Sequence, residues 1–379
     1  MPLLDSLRDP PWRRLRPARR LAGRDLLLVR DPGDLHHLEI YFLGFLRQLA
    51  GDGGPTWTEV AYTGAAESDL DGRHLVVLCR PRFPECSRLL DRCAAVDLPV
   101  LVMIDDNWPA AGEEFPRYRH LFAPGCGPLE TFLEAVRRAD TTLVYSPFLA
   151  AELAPLARRI ALLPPNVDLD LFRPDPVPSR AADRILVGYA GSPRFEPSAF
   201  TALSRLVRTR SEVDLLFFGH ELPAELADVP PNRLRFLPWV REYRSYARTL
   251  ADSRPDILVA PLEASRFAAA KCPNKFLDNA DVGAAGIYSR VDPYLSHVKD
   301  GATGLLVENR VDTWQEALER LCSDRRLRLR LARRARSFVR RRFATDVVLP
   351  RFAALLSGLA RPAAQPTRAA TAATYSSRR

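Results

Sequence analysis

The sequence predicts an α/β protein built as two Rossmann-like parallel α/β domains facing a central cleft, and three observations carry that expectation. Short apolar runs alternate with amphipathic stretches along most of the chain, the pattern of buried parallel strands connected by helices. The alternation runs twice, broken once by a stretch that holds Pro174, Pro176 and Pro178 and has no hydrophobic period. A length of 379 residues suits two domains of ordinary size, and an apolar fraction of 47% supplies enough material for two cores.

The first series opens with a strand at Asp25–Arg30 and a helix through the run from Ile40. A buried strand at His74–Arg80 and a helix over Cys86–Val96 follow. A third strand, Pro99–Asp105, ends in Asp105-Asp106-Asn107-Trp108. A helix around Leu129–Ala139, a strand from Thr141, a helix from about Phe148 and the run from Ile160 close this half. The second series starts with a strand at Ile185 leading into Gly191-Ser192, then a helix over about Ser198–Arg210 and a strand from Val213. It continues with Leu234–Val240, a helix from about Tyr243 to Ala251, and strands at Asp256, Gly286 and Gly304. The resulting division is a basic arm at 1–22, a first domain at 23–172, a proline linker at 173–183 and a second domain at 184–342. A C-terminal helix at 343–362, packing back toward the first domain, and a disordered Ala/Thr/Pro/Arg tail at 363–379 complete it.

Charge and cysteine usage narrow the class. The 55 basic residues outnumber 46 acidic ones, giving a net charge of +9. The excess is concentrated: Arg325–Arg342 holds ten arginines and no acidic residue. Such a face suits an anionic membrane surface or another polyanion, and a merely solvated helix face is the plain alternative. No aromatic interleaving or nucleic-acid motif accompanies the charge, which argues against a nucleic-acid partner. The six cysteines show no paired CxxC or zinc-ligand spacing, so neither a metal site nor a disulfide framework is indicated. Together with the lack of a secretory apolar segment, this points to the cytoplasm, with peripheral contact to the inner membrane face as an extension.

Of the 55 basic residues only three are lysines, Lys271, Lys275 and Lys299. In a chain that uses arginine for ordinary positive charge, a lysine cluster marks places where a compact ammonium is needed, and an ammonium is a common point-charge partner for phosphate. Lys271, Lys275 and Asp278 stand at i, i+4 and i+7. If helical they share one face, with Pro273 in the first turn. Two ammonium groups beside a helix N-terminus make an anion site, and the carboxylate can accept from sugar hydroxyls. A plain surface pair between Lys275 and Asp278 is the alternative. Gly191-Ser192, in the first loop of the second series, offers close backbone approach and a hydroxyl donor to a phosphate.

The segment from Lys271 through Pro293-Tyr294 and Asp300–Val307 to Trp314 resembles the donor-binding domain of retaining GT-B glycosyltransferases of the group 1 type. The bacterial cell-surface polysaccharide enzymes are the most similar subset. Leu163–Phe172 resembles the segment with which that family enters its interdomain linker. The resemblance implies the GT-B fold and a metal-independent hexosyl or related transferase without a cofactor. Its donor would be a nucleotide-diphosphate sugar and its acceptor a glycan, a lipid-linked sugar or a small molecule. It further implies that Gly191 and Ser192 contact the diphosphate, with Arg194 in place of a usual phosphate ligand, and that Lys271 and Asn274 belong to the donor site. Lys275 would neutralise the leaving diphosphate, Asp278 would hold the ribose, and Trp239-Val240 would lie beside the base. Asp105, Asp106 and His120 are the acceptor-side candidates.

Four departures qualify the resemblance. Asp278 stands where glutamate is common, Ala270 replaces the first carboxylate of a Glu-x7-Glu pair, Gly283-Ala284-Ala285 replaces a Gly-x-Pro turn, and Pro193-Arg194-Phe195-Glu196 stands where polar residues often follow Gly-Ser. A catalytically degenerate GT-B protein that acts as a binding subunit is therefore the competing expectation.

Overall fold

The computed structural model describes residues 21–33, 36–51, 53–169, 171–172, 184–191 and 196–360. The expected linker and tail lie outside these residues, as does all but the end of the expected arm.

Two six-stranded, all-parallel sheets organise the chain. The first comprises β1 (Asp25–Arg30), β2 (Thr56–Ala61), β3 (Leu75–Cys79), β4 (Val100–Met103), β5 (Thr141–Val144) and β6 (Ile160–Leu162), in the order β2-β1-β3-β4-β5-β6. The second comprises β7 (Ile185–Ala190), β8 (Val213–Gly219), β9 (Leu234–Pro238), β10 (Ile257–Ala260), β11 (Ala285–Ser289) and β12 (Leu305–Val307), in the order β12-β11-β10-β7-β8-β9. Central strands such as β3, β4, β7 and β10 are buried along their whole length, as near-continuous Val, Ile and Leu runs require when helices cover both faces. In each sheet the strand order reverses once, between β1 and β3 and between β7 and β10. Chain crossovers leave on opposite sides there and open a crevice at the carboxyl ends of the strands.

The sequence pattern missed β2, an edge strand whose residues TWTEVA are partly exposed and carry no apolar run. Helix Trp108–Glu114 was missed as well; it starts on an Asn107 cap whose side chain accepts from the Ala110 amide at 3.2 Å.

The domains are tied at two places. Val167 and Ala344 bridge where the chain crosses between them, through Val167 N–H to Phe343 O at 2.8 Å and Thr345 N–H to Val167 O at 3.0 Å. Helix Thr345–Leu359 then lies on the first domain, with Phe352 stacked on Phe45 at 4.4 Å between ring centroids.

The second tie is a strap from the second domain. Phe267 and Ala270 are buried in the core of the first domain, where the Phe267 ring lies 5.7 Å from Phe115 and 6.1 Å from Tyr118. Arg266 forks between Glu113 at 2.7 Å and Glu152 at 2.8 Å. The Glu114 carboxylate accepts from the amides of Arg266 at 2.8 Å and Phe267 at 2.9 Å. Truncating the ring leaves a cavity at the junction, so Phe267→Ala is expected to cost about 3 kcal/mol and to uncouple the unfolding of the domains. Urea melts read by two probes check this; a single unchanged transition would show that the strap ties nothing.

Candidate active site

The two switch-point crevices face one another and enclose a cavity of about 570 Å³ lined by both domains. On the first-domain side, the segments after β1 and β4 supply His37 and the Asp105-Asp106 pair, with Arg80, after β3, bonded to that pair. On the other side, the start of helix Asn274–Val282 supplies Lys275, with Gly191, after β7, against its ammonium.

Lys275 is the best-placed cation. Its Nζ donates to the Ala190 carbonyl at the end of β7 and stands 4.5 Å over the Tyr189 ring. Gly191 has φ of +121°, a conformation that disfavours any side chain, and a Cβ there would overlap the Lys275 ammonium. Gly191 thus makes room for the Lys275 ammonium, and it is the lysine that lines the cavity. The two residues after Gly191 that matter to the expected phosphate site, Ser192 and Arg194, lie outside the described residues.

Lys271 does not share a helical face with Lys275, contrary to the periodic reading. The helix begins at Asn274 with Pro273 as its cap, so Lys271 precedes it. Its Nζ crosses the cleft to Asp106 Oδ1 at 2.6 Å and sits 4.0 Å over the Phe267 ring. Asn274 also reaches across, donating from Nδ2 to the Tyr41 hydroxyl at 2.7 Å, while its buried Oδ1 has no partner among the described residues.

Asp278 is buried, accepts from the Tyr243 hydroxyl at 2.8 Å, and is not among the residues lining the cavity. Burial pushes its carboxyl up to about 6, against the Tyr243 hydrogen bond, the Lys275 charge and Tyr246. The tyrosine thus occupies a position from which a ribose hydroxyl would otherwise donate.

The acidic pair forms the opposite wall. Arg80 donates to Asp105 Oδ1 at 2.8 Å and to Asp106 Oδ2 at 3.2 Å, with its guanidinium 5.3 Å over Trp108. It does so from a left-handed backbone, φ +52°, uncommon for a residue with a side chain and concentrated at functional loops. His37 Nε2 meets Asp105 Oδ2 at 3.1 Å. Burial works to raise the Asp106 pKa, but Lys271, Arg80 and His37 outweigh it and hold the carboxyl well below the usual range. Among the described residues, His37, Asp105 and Asp106 are the one convergent group of metal-ligand types, with ligand atoms within 4.8 Å of one another. Arg80 and Lys271 already compensate both carboxylates, so a cation entering there would have to displace them.

His120 is exposed on the short helix Arg119–Phe122 and does not reach the cavity; the imidazole on the first-domain wall is that of His37. Sequence reasoning missed His37, Arg80 and Tyr243. The signal for the first was available: His36-His37, adjacent, are two of only six histidines and follow the first strand. Trp239 and Val240 do not line the cavity either. The Trp239 ring is sandwiched between His220 at 4.7 Å and His36 of the first domain at 4.5 Å, and His36 Nε2 lies 3.1 Å from the Val240 carbonyl.

No family model matches the chain, and no curated protein sequence matches it. Among solved structures it is similar to sucrose-phosphate synthase from Thermosynechococcus elongatus at 16% identity and a TM-score of 0.68, over 89% of this chain and 99% of that one. It is similar to HepE of Anabaena, solved in complex with UDP and glucose, at 12% identity and a TM-score of 0.63, over 89% and 100%. A Listeria monocytogenes protein described as a UDP-N-acetylglucosamine 2-epimerase matches at 10% identity and a TM-score of 0.56, over 89% and 97%. Two parallel six-stranded α/β domains about a cleft, with this likeness, define the GT-B fold.

Proposed function

We propose that the protein is a glycosyltransferase that moves a sugar from a UDP-linked donor to a glycan or lipid-linked acceptor. One observation carries the reading: the Lys275 ammonium is seated against the Gly191 loop at a sheet's switch point, facing an acidic wall on the other domain. A diphosphate beside Gly191 would meet both the ammonium and the N-terminus of helix Asn274–Val282. As the glycosidic bond breaks, negative charge grows on the leaving diphosphate, and a fixed ammonium stabilises that charge without a metal ion. The proposed acceptor hydroxyl approaches from the Asp105-Asp106 side and attacks the anomeric carbon on the face the diphosphate departs, passing its proton to the departing diphosphate oxygen, which gives retention with no protein nucleophile. Retention and the polysaccharide role rest on the sequence resemblance. HepE, a structure of the same fold, was solved with UDP, which motivates UDP as the first nucleotide. The six free cysteines suit action on the cytoplasmic side.

Titration calorimetry with UDP and UDP-sugars is the test. Binding is expected in the micromolar range, and an absence of nucleotide binding would favour a non-catalytic binding subunit. His36→Ala is expected to tighten UDP several-fold. The imidazole holds the Trp239 face and the Val240 carbonyl that a uracil ring would use, so a base seated there has to displace it. An unchanged affinity would put the base elsewhere.

A further inference from the structure

Helix Arg325–Arg342 keeps Leu327, Leu331, Ala335 and Val339 buried and turns eight arginines outward. Arg326, Arg330, Arg333, Arg334, Arg340 and Arg341 fall within a third of the helix circumference at 100° per residue, along a length of about 22 Å. Several arginines elsewhere on this surface face carboxylates, as Arg73 does Asp25 at 2.6 Å, Arg138 does Asp91 at 2.7 Å and Arg210 does Glu319 at 2.8 Å. Among the described residues, only Arg336 of the eight has a carboxylate within reach, Asp281 at 3.7 Å. The exposed face of the helix also contains repulsive pairs at i, i+3 and i, i+4: Arg326–Arg330, Arg330–Arg333, Arg330–Arg334, Arg333–Arg336 and Arg336–Arg340. Each such pair destabilises an isolated helix. A helix face that gathers eight exposed arginines and leaves this repulsion uncompensated is built to meet negative charge from outside.

We propose that this face docks the protein on an anionic lipid bilayer. A bilayer fits better than a compact ligand because the charges form a straight, open stripe with no pocket. Leu329, 41% exposed, lies at its edge and can enter the headgroup boundary while the guanidiniums bind lipid phosphates. The opposite side of the helix packs on helix Asn274–Val282 through Phe338 and Phe276, at 6.2 Å between centroids. The docked surface therefore lies one helix away from Lys275. This goes beyond the proposed function and does not depend on it.

The test is co-sedimentation of the full chain with phosphatidylcholine vesicles, with and without phosphatidylglycerol, at two salt concentrations. The comparison variant replaces Arg326, Arg330, Arg333 and Arg334 by glutamine. Each arginine near an anionic surface is worth about a five-fold change in partitioning, and screening removes it with salt. The variant should therefore lose about 600-fold in binding to the anionic vesicles at low salt, while its melting temperature holds or rises as repulsion is relieved. A parallel variant, Leu329→Ser, should bind several-fold more weakly with its charge intact. Equal binding to both vesicle types, or equal binding by wild type and the glutamine variant, overturns the proposal. Tighter retention on duplex DNA than on anionic vesicles would overturn it in favour of a nucleic acid. UDP affinity, measured on the same samples, should not change.

Discussion

Replacing Lys275 by alanine is expected to abolish measurable UDP binding and to lower kcat/KM by about 100- to 1000-fold. That corresponds to roughly 3–4 kcal/mol, the usual cost of removing a preorganised charge from a site where charge develops. The expectation rests on geometry. The ammonium is fixed between the Ala190 carbonyl and the Tyr189 ring, so its position is set before any ligand arrives. Lys275→Arg should not rescue binding, because the space under Gly191 fits a compact ammonium and a planar fork would meet the loop. Gly191→Ala should imitate the loss from the other side, since its Cβ would displace Nζ and its backbone would be strained at φ +121°. Calorimetry and steady-state rates on the three variants decide the matter. Near-normal UDP affinity in Lys275→Ala would remove the diphosphate from this loop and with it the donor site.

The parts of this structure that were legible in the sequence are those whose cause is local. A central parallel strand buries both faces and so reads as a continuous apolar run; β3, β4, β7 and β10 announce themselves. The edge strand β2 needs no such run and was invisible. Lys275 was legible because lysine is rare in an arginine-rich chain, and Gly191 because it ends a strand. Contacts between distant segments were not. Nothing local says that the Tyr243 hydroxyl engages Asp278, 35 positions away, or that Lys271 pairs with Asp106 across the cleft. The missing carboxylate at Ala270 also acquires a physical reason. That side chain is fully buried in the first domain's core beside Phe267, where an ionised group would be costly. The same departure that raised doubt about catalysis is thus part of the strap that holds the domains together.

Asp281→Asn is expected to change how stability depends on pH. Asp281 is 1% exposed, and neither carboxylate oxygen has a hydrogen-bond partner among the described residues. Burial pushes its pKa from 3.8 up to about 7, against the pull of Arg336 and with Asp278 and Asp168 adding to the rise. The folded state therefore holds a proton that the unfolded chain has released. Stability is fully present below the unfolded value and is lost as pH climbs through about 7, after which it levels. A rise of about three units corresponds to a ceiling on the order of 4 kcal/mol. Asp278, raised to about 6, contributes in the same direction over the lower part of that window. An asparagine keeps the shape and is neutral at every pH. The variant should match the wild type near pH 4, or fall slightly below it because the amide brings unpaired donors. It should exceed the wild type at pH 8 by roughly 3 kcal/mol. Urea unfolding at the two pH values measures the difference directly. Parallel pH profiles for the two proteins would mean that Asp281 is ionised in the fold and that Arg336, 3.7 Å away, outweighs its burial.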